Sequence, residues 1–253
     1  VETERDEQSV TVHTGTPVDA LWGEERIEAV AFDGGEVSVD LAIVGVGIRP
    51  NTELLDGTGV ELGESGAIRT DEFGRTNRQN VYAAGDCATA RHTVTGEETW
   101  MPLGLTANRS GRAIGATVGG AETPVGDIAG TAVVKAFEME CGRVGLLDEE
   151  SAREAGFDPG RGTGTAGSRS GYYPGNAETD VTLVADRETG KLLGGSIVGS
   201  DRAAVRIDTL ATALDADMTV AEVERLDLAY APPFSPVWDP VLVAAKVLNG
   251  RLD

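Results

Sequence analysis

The part of this sequence best suited to holding a ligand is an apolar run that ends in Gly85-Asp86. It closes the string TDEFGRTNRQNVYAAGDCA, residues 70–88, in which Val81 to Ala84 read as a buried strand. Ligands of open α/β sheets gather at the carboxyl ends of strands. Glycine at that point lets a bulky group approach the backbone, and the carboxylate of Asp86 can accept a hydrogen bond from a sugar or ribityl hydroxyl. A strand ending in Gly-Asp is equally a plain turn, so the pair alone decides nothing. Other reactive side chains are scarce. Cys87 and Cys141 lie far apart, in neither metal-ligand nor CxxC spacing, and read as structural thiols. His13 and His92 are the only histidines, which leaves no material for a zinc site or a local histidine triad, and no metal is expected.

The elements around this string follow from period and punctuation. Residues 9–14 and 26–32 alternate as short strands, followed by a turn at Asp33-Gly34-Gly35 and a strand from Glu36, a β-meander. LAIVGVGIRPN has the length of a buried strand and is ended by Gly47, Arg49 and Pro50. Leu105 to Val118 spaces its small apolar residues as a helix closed by Gly119-Gly120. After Pro124 the pattern changes: strands are expected at 131–138, 181–186 and 192–198, with a short helix at 148–155 and a loop over 160–171. Three helices close the chain, over 201–214, behind the capping box Thr219-Val-Ala-Glu222, and behind Asp239-Pro240 with aspartate as cap and proline in the first turn. Strands followed by helices describe a separate α+β domain.

Taken whole, the string at 70–88 resembles the second flavin-binding motif of the flavoproteins with two dinucleotide-binding domains. AIVGVGIRPNTELL, 42–55, resembles the exit from their nicotinamide domain, and MPLGLTANRSGRAIGATVGG, 101–120, the helix whose amino end faces the flavin ring. The resemblance spans essentially the whole chain. It implies an α/β and α+β fold, the remainder of two Rossmann-like FAD- and NAD(P)-binding domains followed by an α+β dimerisation domain of antiparallel sheet plus helices. The expected boundaries are 1–66 for the nicotinamide domain, 67–125 for the FAD domain and 126–253 for a homodimer interface. FAD and NAD(P)H are the implied cofactors, with Gly47, Gly85, Asp86, Leu105, Thr106 and Ala107 as binding residues. The helix assignment has its own physical support, because a helix amino end presents free N–H groups and positive potential to negative charge on the flavin. The superfamily's GxGxxG fingerprints and its redox cysteine are read as absent, so the chain is expected to begin inside the nicotinamide domain and to be inactive by itself.

Within the superfamily, members like glutathione reductase place a catalytic histidine near the carboxyl end, and no histidine follows His92 here. GYYPGN, 171–176, and YAPPFSPVWDP, 230–240, instead resemble the coenzyme A disulfide reductase and NADH oxidase/peroxidase branch. That resemblance implies catalytic roles for Tyr173 and Tyr230, set close to the partner subunit's redox cysteine. A phenol can hydrogen-bond a departing thiolate without itself being charged at neutral pH. Tyrosines packed over prolines in tight turns would give the same strings. The expected substrate is a low-molecular-weight disulfide such as coenzyme A disulfide. Oxygen or peroxide as acceptor, and a non-catalytic dimerisation module, are the alternatives.

Charge narrows the partners further. The chain carries 42 Asp+Glu against 21 Lys+Arg, a net charge of −21, with no basic cluster to meet a phosphate backbone, so nucleic acid is not expected. It has no run of about 18 apolar residues and its first residues lack the basic and apolar regions of a signal peptide, so a cytoplasmic protein without a membrane segment is expected. Lys135, Lys191 and Lys246 are the only lysines, and the carboxylates are spread along the chain rather than gathered in a tail. This reads as adaptation to high salt; an acidic protein of ordinary habitat is the alternative. If the first reading holds, the thermal midpoint rises markedly between dilute buffer and molar salt as screening removes self-repulsion. A melting curve indifferent to salt would count against it.

Overall fold

The structure, a computed structural model, describes residues 8–252; the opening residues 1–7, part of the reading on signal peptides, lie outside it. The chain divides into one compact unit up to Arg49 and another from Pro50. In the first unit the expected meander is present: β1 (Val18–Trp22), β2 (Ala29–Phe32) and β3 (Gly35–Ser38) pair antiparallel in that order. Asp33-Gly34 forms the two-residue hairpin loop, with Gly34 at φ +100. The meander starts later than its alternation suggests, since residues 9–14 carry no strand. Residues 41–48 are likewise not a strand. Ile43 and Val46 are each 90% exposed, because an interior strand of a parallel sheet exists only through its neighbours and none pairs with this segment among the described residues.

The second unit opens with sparse pairing. Val81–Ala84 is half-buried and makes no ladder, only an isolated bridge between Tyr82 and Arg75, while Ile68 bridges Ala88 in parallel. A two-stranded piece, β4 (Ala90–Arg91) with β5 (Glu98–Thr99), precedes α1 (Gly104–Val118). Gly120, at φ +96, leads the chain off the end of that helix as expected. His92 is 3% exposed, and its Nδ1 accepts the backbone N–H groups of Val94 and Thr95 at 3.3 Å, a structural role.

The rest is one five-stranded antiparallel sheet and its helices. β6 (Ala132–Ala136), β7 (Met139–Gly145), β8 (Pro159–Gly167), β9 (Glu178–Asp186) and β10 (Leu192–Gly199) stand in the order β6-β7-β10-β9-β8. α2 (Glu149–Glu154) is capped by the Asp148 side chain. The expected helix over 201–214 is split into a 3-10 turn, Ala204–Arg206, and α3 (Ile207–Asp215). α4 (Val220–Val223) has the full capping box. In α5 (Pro240–Leu252) the Asp239 carboxylate accepts the Val241 N–H at 3.0 Å. Leu183, Leu192, Leu193, Ile197, Ile207, Leu210 and Leu248 are fully buried in the core.

Two more expectations are overturned by β8. Residues 160–171 read as a loop, yet most of them belong to β8, in which Gly160, Gly162 and Gly164 are buried and Arg161, Thr163 and Thr165 are exposed. The letters of residues 162–167, GTGTAG, also satisfy the GxGxxG spacing, against the reading that this pattern is absent. They form no phosphate loop, because all three glycines sit in a strand, Gly162 and Gly164 facing α5 and Gly167 facing Asn176. A Cβ at Gly164 would stand 2.7 Å from the backbone of Ala244, one at Gly162 3.1 Å from Leu248, and one at Gly160 2.6 Å from Leu252. Two residues of strand advance about 6.6 Å and four residues of helix about 6 Å, so each glycine meets the next turn of α5.

Two outcomes follow. Gly164→Ala pushes a methyl group into backbone that cannot turn aside, so its denaturant midpoint should fall by the equivalent of about 1–3 kcal/mol, whereas Gly171→Ala, with open space around it, should stay within about 0.5 kcal/mol. Equal effects at both positions would remove the steric argument. Burial holds His92 below its ordinary value of 6.5. The unfolded chain therefore takes up that proton first, and the contribution is complete above pH 6.5 and lost as pH falls below it, at no more than about 1.4 kcal/mol per pH unit. His92→Asn keeps an acceptor for the two N–H groups and should flatten stability between pH 6.5 and 5; a slope unchanged by the substitution would assign it to other groups.

Candidate functional site

Gly85 and Ala107, expected to share a ligand, come together. Gly85 takes φ +90, a conformation suited to glycine, and a Cβ built on it would find only the Ala107 Cβ within 4 Å, at 3.9 Å. At the next residue, Asp86 O accepts the Trp100 indole N–H at 2.8 Å, and Asp86 is exposed. Trp100 thus fixes the turn that presents the carboxylate. It was not among the expected site residues, and nothing in its local sequence announces the bond.

The amino end of α1 is open in a useful way. Leu103 occupies the cap position in extended conformation and supplies no side-chain acceptor. The first intrahelical bond recorded there runs from Ala107 N to Leu103 O at 3.0 Å. The N–H groups of Gly104, Leu105 and Thr106 carry no hydrogen bond among the described residues, so the end keeps its free donors. Leu105 is 61% exposed, whereas Thr106 and Ala107 are half-buried. A glycine with open space beside it and an uncapped helix end fit a flat, partly anionic group such as a flavin ring, and Gly85, Asp86, Leu105, Thr106 and Ala107 are the residues that would hold it. Gly47, at φ +93 with open space around it, belongs to the unit that ends at Arg49.

The two tyrosine strings form a second cluster. Ser170 N donates to Pro232 O at 3.4 Å, which brings the loop of Tyr173 against that of Tyr230. Tyr173 N donates to Ser170 O at 2.8 Å and Phe234 N to Ala231 O at 2.9 Å, so each loop is a closed turn. The first is also held by Arg169, whose Nε and Nη2 reach the two Asp201 carboxylate oxygens at 2.7 and 2.8 Å. This guanidinium, foremost among the causes, and the Ser168 hydroxyl keep the Asp201 carboxyl below the usual carboxylate range. Tyr230 is 50% exposed and Tyr172 78%. Neither the Tyr173 nor the Tyr230 hydroxyl has a recorded hydrogen bond among the described residues. No hydrogen bond or ion pair joins these loops to the Gly85–Ala107 cluster within the described residues.

Beneath the tyrosine loops lies a buried ion pair that sequence reasoning missed. Arg206 Nε donates to Asp239 Oδ2 at 2.8 Å, with 9% and 10% of the two side chains exposed. The available signal was a lone arginine inside the apolar run Ala203-Ala-Val-Arg-Ile, a place where an unpaired charge is not tolerated. No group of His, Cys, Asp and Glu among the described residues is arranged to hold a metal ion, and no helix there is long and apolar enough to cross a membrane.

Comparison with known proteins shows the family. Residues 1–111 match the family model described as pyridine nucleotide-disulphide oxidoreductase, and residues 131–240 match that of its dimerisation domain. The NAD(P)H coenzyme A polysulfide/persulfide reductase of Pyrococcus horikoshii is 46% identical over 227 residues, 90% of this chain and 51% of its own length. Coenzyme A disulfide reductase of Staphylococcus aureus is 30% identical over 234 residues, 92% of this chain and 52% of its own. The solved structure of a NAD-dependent persulfide reductase from A. fulgidus superposes with a TM-score of 0.94 at 35% identity, covering 99% of this chain and 46% of that one. The chain spans about half the length of the curated relatives it matches. With both family models matched in order and the fold shared, the chain belongs to the pyridine nucleotide-disulphide oxidoreductase family.

Proposed function

We propose that the chain is part of an FAD-dependent NAD(P)H oxidoreductase that reduces a low-molecular-weight disulfide such as coenzyme A disulfide. The observation that carries the reading is the meeting of Gly85 with the uncapped amino end of α1. When bound, FAD supplies the passage of electrons from NAD(P)H to a disulfide. The residues present hold and orient. Gly85 would admit the ring to the backbone beside Ala107, Asp86 would accept from a ribityl hydroxyl, and the free N–H groups at Leu105 and Thr106 would set positive potential against negative charge on the ring. Gly47 belongs to the exit from the nicotinamide domain. The proposed domains are 1–66, 67–125 and 126–253, the last pairing two copies of the chain. Exposed Val133 and Val134 on β6, with Phe137 in the turn after it, support a surface that another subunit covers.

Across such a two-fold interface each subunit lends the same loop to the other's site. Tyr173 and Tyr230 are proposed to donate a hydrogen bond to the thiolate that leaves the substrate, with Pro232-Pro233 limiting the freedom of the second loop. A cytoplasmic setting agrees with two free thiols, Cys87 and Cys141. The full-length protein should be yellow and should oxidise NAD(P)H when given coenzyme A disulfide without oxygen. Oxidation only with oxygen or peroxide would move the assignment to the oxidase branch, and a colourless, inert protein would leave a dimerisation module. Asp86→Ala should loosen or release FAD. Tyr230→Phe should slow disulfide turnover about tenfold, the loss of roughly 1.4 kcal/mol, with flavin reduction by NAD(P)H near its original rate. Equal turnover in the two proteins would leave Tyr230 a packing residue.

A further inference from the structure

The Arg206 guanidinium makes more bonds than an ion pair with Asp239 requires. Nη1 donates to Arg202 O at 3.0 Å, and Nη2 donates to Ser168 O at 2.8 Å and to Phe234 O at 3.3 Å. With the bond to Asp239, four of the five N–H donors of a guanidinium are used. The carbonyls come from three segments. Ser168 precedes the Tyr173 turn, Phe234 lies just after Tyr230, and Arg202, a non-glycine residue at φ +57, joins them from the other side. Arg202 in turn donates from Nη1 to Phe234 O at 3.3 Å. Asp239 completes the joint by accepting the Ser235 hydroxyl at 3.0 Å and capping α5. The only direct backbone bond recorded between the two loops, Ser170 N to Pro232 O, is long at 3.4 Å. The shared contact that fixes their spacing is therefore one planar, buried fork.

We propose that Arg206, paired with Asp239, is a positioning residue whose guanidinium sets the distance between the Tyr173 and Tyr230 loops and, through it, the rate of disulfide turnover. The inference rests on the reading that these loops meet the substrate. Lysine keeps the charge beside Asp239 but is a compact ammonium on a flexible stem and cannot reproduce the fork. In the full-length enzyme with FAD bound, Arg206→Lys should therefore slow turnover of coenzyme A disulfide about tenfold and leave flavin reduction by NAD(P)H unchanged. Added to Tyr230→Phe, it should cause a further loss well short of tenfold, because the Tyr230 hydroxyl is already gone and only the placing of Tyr173 remains to be lost. Hydrogen exchange should rise together in residues 168–176 and 230–236 and stay as it was in β9 and β10. Losses that multiply to about a hundredfold, or an Arg206→Lys enzyme of normal rate, would overturn the proposal and leave the tyrosine reading standing. A silent Tyr230→Phe beside a slow Arg206→Lys with both loops loosened would support the clamp and remove Tyr230 instead. Should the lysine variant fail to accumulate, the unmodified enzyme decides. The Tyr173 and Phe234 amides should exchange through one shared opening with the same denaturant dependence, and two separate openings would overturn the clamp.

Discussion

Room for a helix against a strand is the constraint on which the carboxyl-terminal half depends. With glycine at 160, 162 and 164, α5 lies close on β8, and at Gly164 its backbone comes to a distance that any side chain would forbid. Leu248, placed by that approach, belongs to the fully buried core with Val181, Leu183 and Leu193. Position follows as well as stability. α5 begins at Pro240, directly behind Asp239, so the depth at which the helix lies sets where the Asp239 carboxylate meets Arg206. A steric allowance on one side of the sheet is thereby carried to the loops at its end.

Electrostatics plays two different parts in the molecule. Most ion pairs lie on the surface, as with Arg69–Glu98 and Arg153–Glu149, whose side chains are substantially exposed and whose pairing contributes little in water. Arg206–Asp239 is buried, and removing either partner would leave an uncompensated charge away from solvent. Such a pair is poor evidence of stability by itself. Its value here is directional, because a guanidinium offers donors in a fixed plane and the carbonyls around it must conform to that plane.

How much could be read beforehand depended on the range of the physics involved. Local signals were legible: the Asp148 cap, the Thr219–Glu222 capping box, the Asp239-Pro240 helix start and the glycines that end α1 each act within a few residues. Gly85 and Ala107 were legible as partners only through resemblance, since more than one element separates them. β8 was missed because glycines repeated in a sequence signal a loop when the helix that requires them lies some eighty residues away. Arg206 was missed for the same reason, with every acceptor but Arg202 O drawn from a distant segment. The run at 41–48 has the composition of an interior strand, but no composition can provide the neighbours that make one.

That run has a colloidal consequence. Ala42 to Ile48 is a stretch without charge or proline, rich in β-branched residues and largely open to solvent, the kind of segment through which identical chains stack edge to edge. Repulsion among copies that each carry a net charge of −21 opposes this stacking in dilute buffer. Salt acts on the two halves of the problem in opposite directions, since the ions that relieve repulsion within one folded copy also screen one copy from the next. On the reading of the charge as adaptation to high salt, a preparation of this chain alone should therefore show a salt optimum set by association rather than by unfolding, below the concentration at which a single copy is most stable.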